Sequence, residues 1–455
     1  MKTGEKCLVV GSGISGIGST GLLENMGAEV TLYDSDGRLD AAAIRAKLPA
    51  GSRARCVAGV LPAEIMESAE TVVLSPGVPV DIPLVNELRE RGAKIIGEIE
   101  LGYQEEKGRV AAITGTNGKT TTTTLVGDIM RACLGEEKVF VVGNIGKSYT
   151  SECLKTGPDT VTVGEISSFQ LETIRDFHPH VSAILNITPD HLNRHHTMEA
   201  YVAAKENIAM NQSEDDICVL NYDNRYTRDF GGRCPARVVF FSSAQELENG
   251  YYLKGEKIVK AGNGKVRELM DIHRDMNLVG MCNVENVMAA IAIAEGMGVP
   301  MEIILETVRG FHAVEHRIEF VANKGGVDYY NDSKGTNPDA AIQGIRAMSR
   351  PTVLIGGGYD KGSEFDEWID SFDGKVKYLV LIGQTREKIA ECAKRHGFDG
   401  RRIYFEDTFE ECLKRCSELA ESGDAVLLSP ACASWGMFPN YEVRGEQFKD
   451  YVRGL

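Results

Sequence analysis

No apolar run in this chain approaches the length needed to span a bilayer, and nothing near the N-terminus resembles an export signal. Lys6 is followed only by Cys7-Leu8-Val9-Val10 before glycine breaks the run. The expectation is a cytosolic protein without a membrane partner. Positive charge is also short. Lysine and arginine number 50 against 66 acidic residues, a formal charge of −16, which argues against general nucleic-acid binding. Anionic small substrates stay open, since local loops and Mg²⁺ decide those. Cysteine pairing signals are missing as well. The eleven cysteines are odd in number, scattered, and without a Cys-x-x-Cys pair, so reduced thiols are expected and a zinc site is not. Repeats, long linkers and low-complexity stretches are absent too.

What remains is an ordinary globular composition, 43% hydrophobic and 25% charged. The 455 residues are too many for one core and fit roughly two to four domains. The stretch that organises the rest is Val110-Ala111-Ala112-Ile113-Thr114-Gly115-Thr116-Asn117-Gly118-Lys119-Thr120. A β-branched run reads as a buried strand, the glycines as a tight turn, and Thr121 to Met130 as a helix start. That order aims backbone N–H groups and a helix N-terminus at an anion. Lys119 reaches the outer phosphates, and the Thr120 hydroxyl is placed for Mg²⁺. Ile113 stands where a general phosphate loop has its first glycine.

Upstream, Lys6 to Val10 is a strand, Gly11-Ser12-Gly13-Ile14-Ser15-Gly16 opens a helix, and Glu29 to Tyr33 is a second strand ending in Asp34. This is a dinucleotide-type fingerprint, and alone it supports an NAD-linked oxidoreductase equally well. A further strand, Thr71 to Leu74, ends in Ser75-Pro76-Gly77. Downstream of the phosphate loop, three strands end in polar runs: Gly143-Asn144-Ile145-Gly146, Gly164-Glu165-Ile166-Ser167, and Thr188-Pro189-Asp190-His191. An acid just past a strand beside a phosphate loop suits a Mg²⁺ ligand, which singles out Glu165. His191 is a site candidate on the same ground.

Met198 to Gln212 reads as a helix with Tyr201, Val202, Ile208 and Ala209 on its apolar side. Lys205 falls in the middle of that face, where a lysine needs a partner, a lowered pKa or a chemical change. Asn283 and Asn286, at i and i+3, share a helix face. After Gly310-Phe311-His312-Ala313 the strand–helix alternation resumes, and three loops follow strands: 331–338, 356–361 and 429–434. All three are expected at one sheet edge. The reading is α/β in three domains. Residues 1–103 form an N-terminal Rossmann-like doubly wound sheet, 104–313 a central P-loop-type ATPase domain, and 314–455 a C-terminal Rossmann-like domain.

Taken together, these motifs resemble the Mur ligase family, the ATP-dependent amino-acid-adding enzymes of peptidoglycan synthesis. The similarity runs along essentially the whole chain. It rests on Thr114 to Thr120, Gly143 to Gly146, Glu165-Ile166-Ser167-Ser168-Phe169-Gln170-Leu171-Glu172, Tyr330-Asn331-Asp332-Ser333-Lys334, Ser429 to Ser434 and Arg444-Gly445-Glu446. No Asp-Asn-Pro-Arg run of the diamino-acid-adding branch is present, and the loops are most similar to the D-glutamate-adding branch. Gly335 replaces a usual alanine, Gly436 stands where aspartate is common, and Trp435 fills a variable apolar position.

The resemblance implies a monomer acting on UDP-N-acetylmuramoyl-L-alanine, D-glutamate and ATP with two Mg²⁺ ions. It implies an ATP site of Gly115, Thr116, Asn117, Gly118, Lys119, Thr120, Thr121, Asn283, Asn286, Arg317 and Asp332. The first Mg²⁺ would lie on Thr120 and Glu165, and the second on His191 and a CO₂-derived carbamate of Lys205. Lys119, His191 and Lys205 would be catalytic. Ser15, Asp34, Ser35, Ser75 and Asn144 would hold the UDP-sugar, and Thr336, Lys361, Ser434 and Tyr441 the D-glutamate. Folylpolyglutamate synthase resembles only the last two domains. An oxidoreductase would leave the phosphate loop idle, and a non-catalytic nucleotide switch would not need the loops of the third domain.

Overall fold

The computed structural model describes residues 2–455. Compactness divides them into two units, Met1–Arg274 with Asn286–Val308, and Asp275–Glu285 with Arg309–Leu455.

The first unit carries two sheets. Five strands lie in the order Arg55–Ala58, Glu29–Asp34, Lys6–Val10, Thr71–Leu74, Lys94–Gly97, all parallel. Their central strands are apolar on both faces, as parallel strands covered by helices must be. The strand order reverses between Lys6–Val10 and Thr71–Leu74, which makes a switch point, and ligands of open α/β sheets bind outside the carboxyl ends of the strands at such a point. The edge strands Arg55–Ala58 and Lys94–Gly97 were not expected from the sequence, being short and only partly apolar.

The second sheet has nine strands: Lys265–Asp271, Lys257–Gly262, Gly250–Lys254, Arg237–Ser242, Ile217–Asn221, Val181–Ile184, Arg109–Thr114, Val161–Glu165, Val139–Gly143. Only the pairings among the first three are antiparallel. Arg109–Thr114 lies between Val161–Glu165 and Val181–Ile184, parallel to both. The phosphate loop, Glu165 and the segment after Ile184 therefore leave the sheet at one edge, side by side. Between the two sheets, the helix Glu98–Tyr103 acts as a buried bolt. Glu100 accepts from the backbone N–H groups of Arg175, Asp176 and Phe177 at 2.8–3.1 Å. Glu98 accepts from Thr150 N and Oγ1, and burial pushes its carboxyl above the usual range.

The second unit has one sheet in the order Glu319–Lys324, Val327–Asn331, Ala425–Leu428, Thr352–Gly358, Val376–Gly383, Ile403–Phe405, parallel except for its first pair. The three polar loops do share one edge. Asp332 N donates to Leu428 O, Gly357 N to Pro430 O and Tyr359 N to Ala433 O, at 2.8–2.9 Å. Trp368, Phe365 and Phe372 fill one face of this sheet with Leu354, Leu379 and Leu381. Among the described residues, no helix is long and apolar enough to cross a membrane.

Candidate active site

Within the first unit, the strand Arg109–Thr114 delivers the chain into the phosphate loop, and the helix Lys119–Leu134 leaves it. Gly118 makes the entry possible. Its φ of +84° is left-handed, and a Cβ there would lie 2.2 Å from Asn286 Oδ1, so only glycine lets the helix Met281–Gly296 approach the loop. The loop is held from the neighbouring strand end. Thr116 N donates to Asn186 O, and Asn117 N donates to Asn186 Oδ1 at 2.8 Å. Asn186 returns a bond to Asn117 O at 3.1 Å. Thr116 Oγ1 donates to Thr188 O, accepts from Thr188 N, and lies 3.0 Å from the Tyr201 hydroxyl. Lys119 curls over this frame, with Nζ donating to the carbonyls of Gly115 and Thr116 at 2.8 and 2.9 Å.

Glu165 ends its strand fully buried at 1% exposure. Its Oε1 accepts from Asn144 Nδ2 at 2.8 Å, and its backbone carbonyl accepts from Asn144 N. Oε2 is buried with no hydrogen-bond partner. A buried carboxylate oxygen without a donor is costly, and a hard cation is the partner that suits it.

Lys205 is as buried as expected, at 1% exposure, although its helix is shorter than the sequence suggests. Met198–Glu206 is α-helical, and a tight turn over Asn207–Ala209 replaces the continuation to Gln212. Asn207 Nδ2 donates to Leu171 O, while buried Gln212 bonds Ser182, Pro179 O and Ile217 O. Those side-chain bonds draw the chain out of the helix. Lys205 Nζ donates to Gly115 O at 2.8 Å and stands 4.7 Å from the Tyr201 ring centre. Burial, then the nearby Lys119 charge, hold its amine well below the usual lysine range, with Asp190 opposing weakly.

His191 has left-handed backbone, φ 55°, and its ring packs edge-on to Phe169 at 4.9 Å. Behind it lies a cluster that sequence reasoning missed. Buried His195 meets Ser168 Oγ at 2.9 Å and Glu172 at 3.3 Å. Arg194 pairs with Glu172 at 2.8 Å and covers the Phe169 ring. Only the run Ser168-Phe169-Gln170-Leu171-Glu172 signalled it.

At the switch point of the first sheet, Ser12 N and Oγ donate to Asp34 Oδ2 at 2.9 and 2.6 Å, and Lys47 Nζ reaches Ser12 Oγ at 3.1 Å. Burial alone would raise the Asp34 carboxyl, but bonds from Ser12 and Asp36 and the Lys47 charge hold it below the usual range. Ser12 and Lys47 were not singled out from sequence. Ser75 Oγ donates to Gly11 O at 3.2 Å. Ser15 is half-buried and Ser35 exposed beside them. Asn144, grouped with these by sequence, is the residue that holds Glu165.

A Cβ on Gly16 would fall 1.8 Å from Gly11 O. Gly16→Ala is expected to cost at least about 1–3 kcal/mol by overpacking, read as a lower urea midpoint. An unchanged midpoint would mean that the helix Ile14–Asn25 does not press on the turn.

The second unit holds the remaining candidates. Asp332 is buried at 1% exposure and accepts from Ser429 Oγ at 2.7 Å and from Ile318 N. Burial pushes its carboxyl up to about 6, with Arg317 opposing. Gly335 leaves room for this pair, since a Cβ there would meet Asp332 Oδ2 at 2.6 Å. Thr336 and Lys361 line one small cleft with Tyr359, Asp360 and Cys432. Lys361 Nζ lies 5.3 Å from the Trp435 ring centre, and Ser434, which directly follows the lining residue Ala433, is buried. Gly436, at φ +87°, has open space around it. Tyr441 opens the last helix, Tyr441–Gly454, with its ring 5.5 Å from Lys334 Nζ. Arg444, fully buried, donates to Ser333 Oγ and O and to Cys432 O, tying two of the loops together. Asn283 donates through Nδ2 to Val279 O at 2.8 Å, at the start of its helix.

Residues 5–97 match the MurD-like N-terminal domain of Mur ligases, 113–294 the Mur ligase middle domain, and 316–432 the Mur ligase glutamate ligase domain. A UDP-N-acetylmuramoylalanine–D-glutamate ligase of Lachnospira eligens is 55% identical over 448 residues, covering 98% of each chain. The protein of the same name from Clostridioides difficile is 44% identical over 453 residues, covering 99% of each. Among solved structures, the UDP-N-acetylmuramate–alanine ligase of Thermotoga maritima superposes with a TM-score of 0.60 at 19% identity, over 99% of each chain. A second ligase from that organism, solved with ADP, gives 0.57 at 17% identity over 85% of this chain and 96% of its own. With relatives this similar along its whole length, the chain belongs to the Mur ligase family.

Proposed function

We propose that this chain is an ATP-dependent ligase that joins D-glutamate to UDP-N-acetylmuramoyl-L-alanine in peptidoglycan precursor synthesis. The observation that carries the reading is the meeting, at one sheet edge, of the loop 115–120, the partnerless Oε2 of Glu165 and the buried amine of Lys205. We take the domains to divide at 1–103, 104–313 and 314–455, and the protein to work as a cytosolic monomer.

Joining a carboxylate to an amine in water requires activation. In this reading the alanyl carboxylate oxygen attacks the γ-phosphorus of ATP, the bond to ADP breaks, and an acyl phosphate forms. The D-glutamate amine then attacks the acyl carbon, phosphate leaves with the bonding pair, and the amine proton passes to solvent or a nearby base. Little covalent work falls to the protein, so positioning and charge compensation dominate. The loop N–H groups of 115–121 cradle the phosphates, and Lys119 follows the transferring phosphoryl. Asn286 sits against that loop. Asn283, Arg317 and Asp332 serve the nucleotide.

The donor set fits magnesium: a hydroxyl on Thr120 and a buried carboxylate on Glu165 at one position, His191 and a carbamate on Lys205 at the other. Mg²⁺ bound there would offset negative charge on the phosphoryl oxygens. Asn144 holds Glu165 through Oε1 and leaves the buried Oε2 without a hydrogen-bond partner. Ser15, Asp34, Ser35, Ser75 and Asn144 hold the UDP-sugar. Thr336, Lys361, Ser434 and Tyr441 receive D-glutamate.

The direct test is phosphate release from ATP with UDP-N-acetylmuramoyl-L-alanine plus D-glutamate, compared with L-glutamate, and titration with NADH. Release only with the D-isomer and no NADH binding are expected. Release that ignores the amino acid, or tight NADH binding, would sink the reading. Within it, Lys361 supplies the cation for a glutamate carboxylate. Lys361→Ala is expected to raise KM for D-glutamate by about tenfold or more while KM for ATP changes little, the cost of one lost charge-assisted hydrogen bond being ~1.5–3 kcal/mol. Equal shifts in both constants would make Lys361 structural.

A further inference from the structure

We propose that Asp366, Cys392 and His396, on the second unit, form a binding site for a thiophilic divalent cation of the zinc class. One ligand atom from each of the three lies within 4.8 Å of the others. Cys392 and His396 stand one helical turn apart on Arg386–Arg395 and its C-terminal cap, so they project from one face. Asp366 begins the helix Asp366–Asp370 that packs beside it. His396 Nε2 is 2.8 Å from Asp366 Oδ1.

The second observation concerns the other ring nitrogen. His396 Nδ1 lies 2.6 Å from Asp370 Oδ1. A carboxylate on the far nitrogen is how metal-bound histidines are oriented, since it fixes the ring and makes the ligating nitrogen more basic. Here it turns Nε2 toward Asp366 and Cys392.

Zinc bonds of about 2.0–2.3 Å in tetrahedral geometry place donors roughly 3–4 Å apart, a small adjustment from the present spread. The thiolate and carboxylate charges match the dication, with neutral imidazole as the third ligand. Asp370 and Glu364 add negative potential. Arg395, 3.5 Å from Asp366, and Lys388, 3.5 Å from Glu364, oppose it. Binding releases the thiol proton and the Nε2 proton to solvent. Sulfur and nitrogen donors select against Mg²⁺, which prefers oxygen. Three protein ligands leave a fourth position for water, on the side where Asp366 is 46% and His396 24% exposed.

Asp366 directly follows the segment Lys361–Phe365, three of whose residues line the cleft with Thr336. The same segment is held from the neighbouring helix by Lys388 Nζ on Ser363 O at 2.7 Å. A bound cation would tie its end to that helix a second time. The cysteine spacing offers no hint of this, because the ligand set draws on two helices.

The test is titration of the chelator-stripped full chain with Co²⁺, then Zn²⁺, in excess Mg²⁺. One Co²⁺ per chain is expected, with a thiolate-to-cobalt absorption band that Zn²⁺ displaces. Cys392→Ser should abolish the band. His396→Gln, a partly exposed change that spares the core, should weaken binding at least tenfold, and Asp370→Asn by about 10–100-fold. Cobalt binding without a thiolate band in the unaltered protein would overturn the proposal. So would no Zn²⁺ binding at micromolar concentration, or a band that survives Cys392→Ser. If Cys392→Ser does not fold, unchanged affinity in both His396→Gln and Asp370→Asn is the overturning result.

Discussion

Lys119→Ala is expected to lower ligase turnover by about 10³-fold or more with the fold intact. The reason lies in what the loop contains. It carries one lysine, at the first residue of the helix Lys119–Leu134, so its backbone N–H groups and a single ammonium are the chain's own positive charge there. The ammonium already rests on the Gly115 and Thr116 carbonyls at 2.8 and 2.9 Å. It is therefore held over the loop interior before any phosphate arrives, and little reorganisation remains to be done during the reaction. Removing it gives up those two bonds, but the loop stays held through Asn186, Thr188 and Tyr201. Turnover with saturating substrates and the thermal midpoint should be measured together. A midpoint near that of the unaltered chain with turnover lost supports the role. Near-normal turnover would remove this loop from the chemistry.

The frame itself was only partly legible in the sequence. Strand, glycine turn and helix start are local signals, so the loop between Thr114 and Thr120 could be read directly. Glu165 and the 188–191 run could be read only as strand ends near that loop, and their adjacency comes from the pairing of Val161–Glu165 and Val181–Ile184 on either side of Arg109–Thr114. The ties that hold the loop could not be read, because Asn186 looks like any other polar residue after a strand. Its bonds to Asn117 exist only once Val181–Ile184 pairs with Arg109–Thr114. Asn144 shows the same limit. Its motif marks it as a site residue, but only the pairing of Val139–Gly143 with Val161–Glu165 puts its amide on the Glu165 carboxylate.

The second unit repeats the pattern. The three polar loops were placed at one edge by reasoning about strand ends alone, and they meet there. Two of them are tied together by buried Arg444, whose guanidinium reaches Ser333 and Cys432 from the last helix. An arginine in a helix ordinarily reads as a solvated residue, and only its place in a motif singled it out. The glycine at 335 is explained by space beside Asp332, a contact invisible without coordinates.

Lys205 is expected to carry a carbamate, and Lys205→Ala to lose about 10²-fold or more of its turnover while recovering part of it in the presence of a small carboxylic acid such as acetate. The sequence places the residue at the centre of an apolar face, and the structure adds three reasons. Its side chain is 1% exposed, so an ammonium there pays a desolvation penalty. The Lys119 charge nearby disfavours a second cation, and burial with that charge holds the amine well below its usual range. A neutral amine is the form whose lone pair attacks CO₂. The nitrogen bonds the carbon, one N–H proton leaves to solvent, and an anion results. That anion is compensated by the Lys119 ammonium and, when bound, by Mg²⁺, where an isolated buried carboxylate would not be. The backbone carbonyl of Gly115, 2.8 Å from Nζ, can keep a bond to the N–H that the carbamate retains. Acetate can mimic the carboxylate portion once the side chain is truncated, which a merely structural lysine would not allow. Electron density extending beyond Nζ, together with acetate rescue, is the expected pair of results. A bare ammonium with no metal beside it and a fully active Lys205→Ala variant would refute the carbamate.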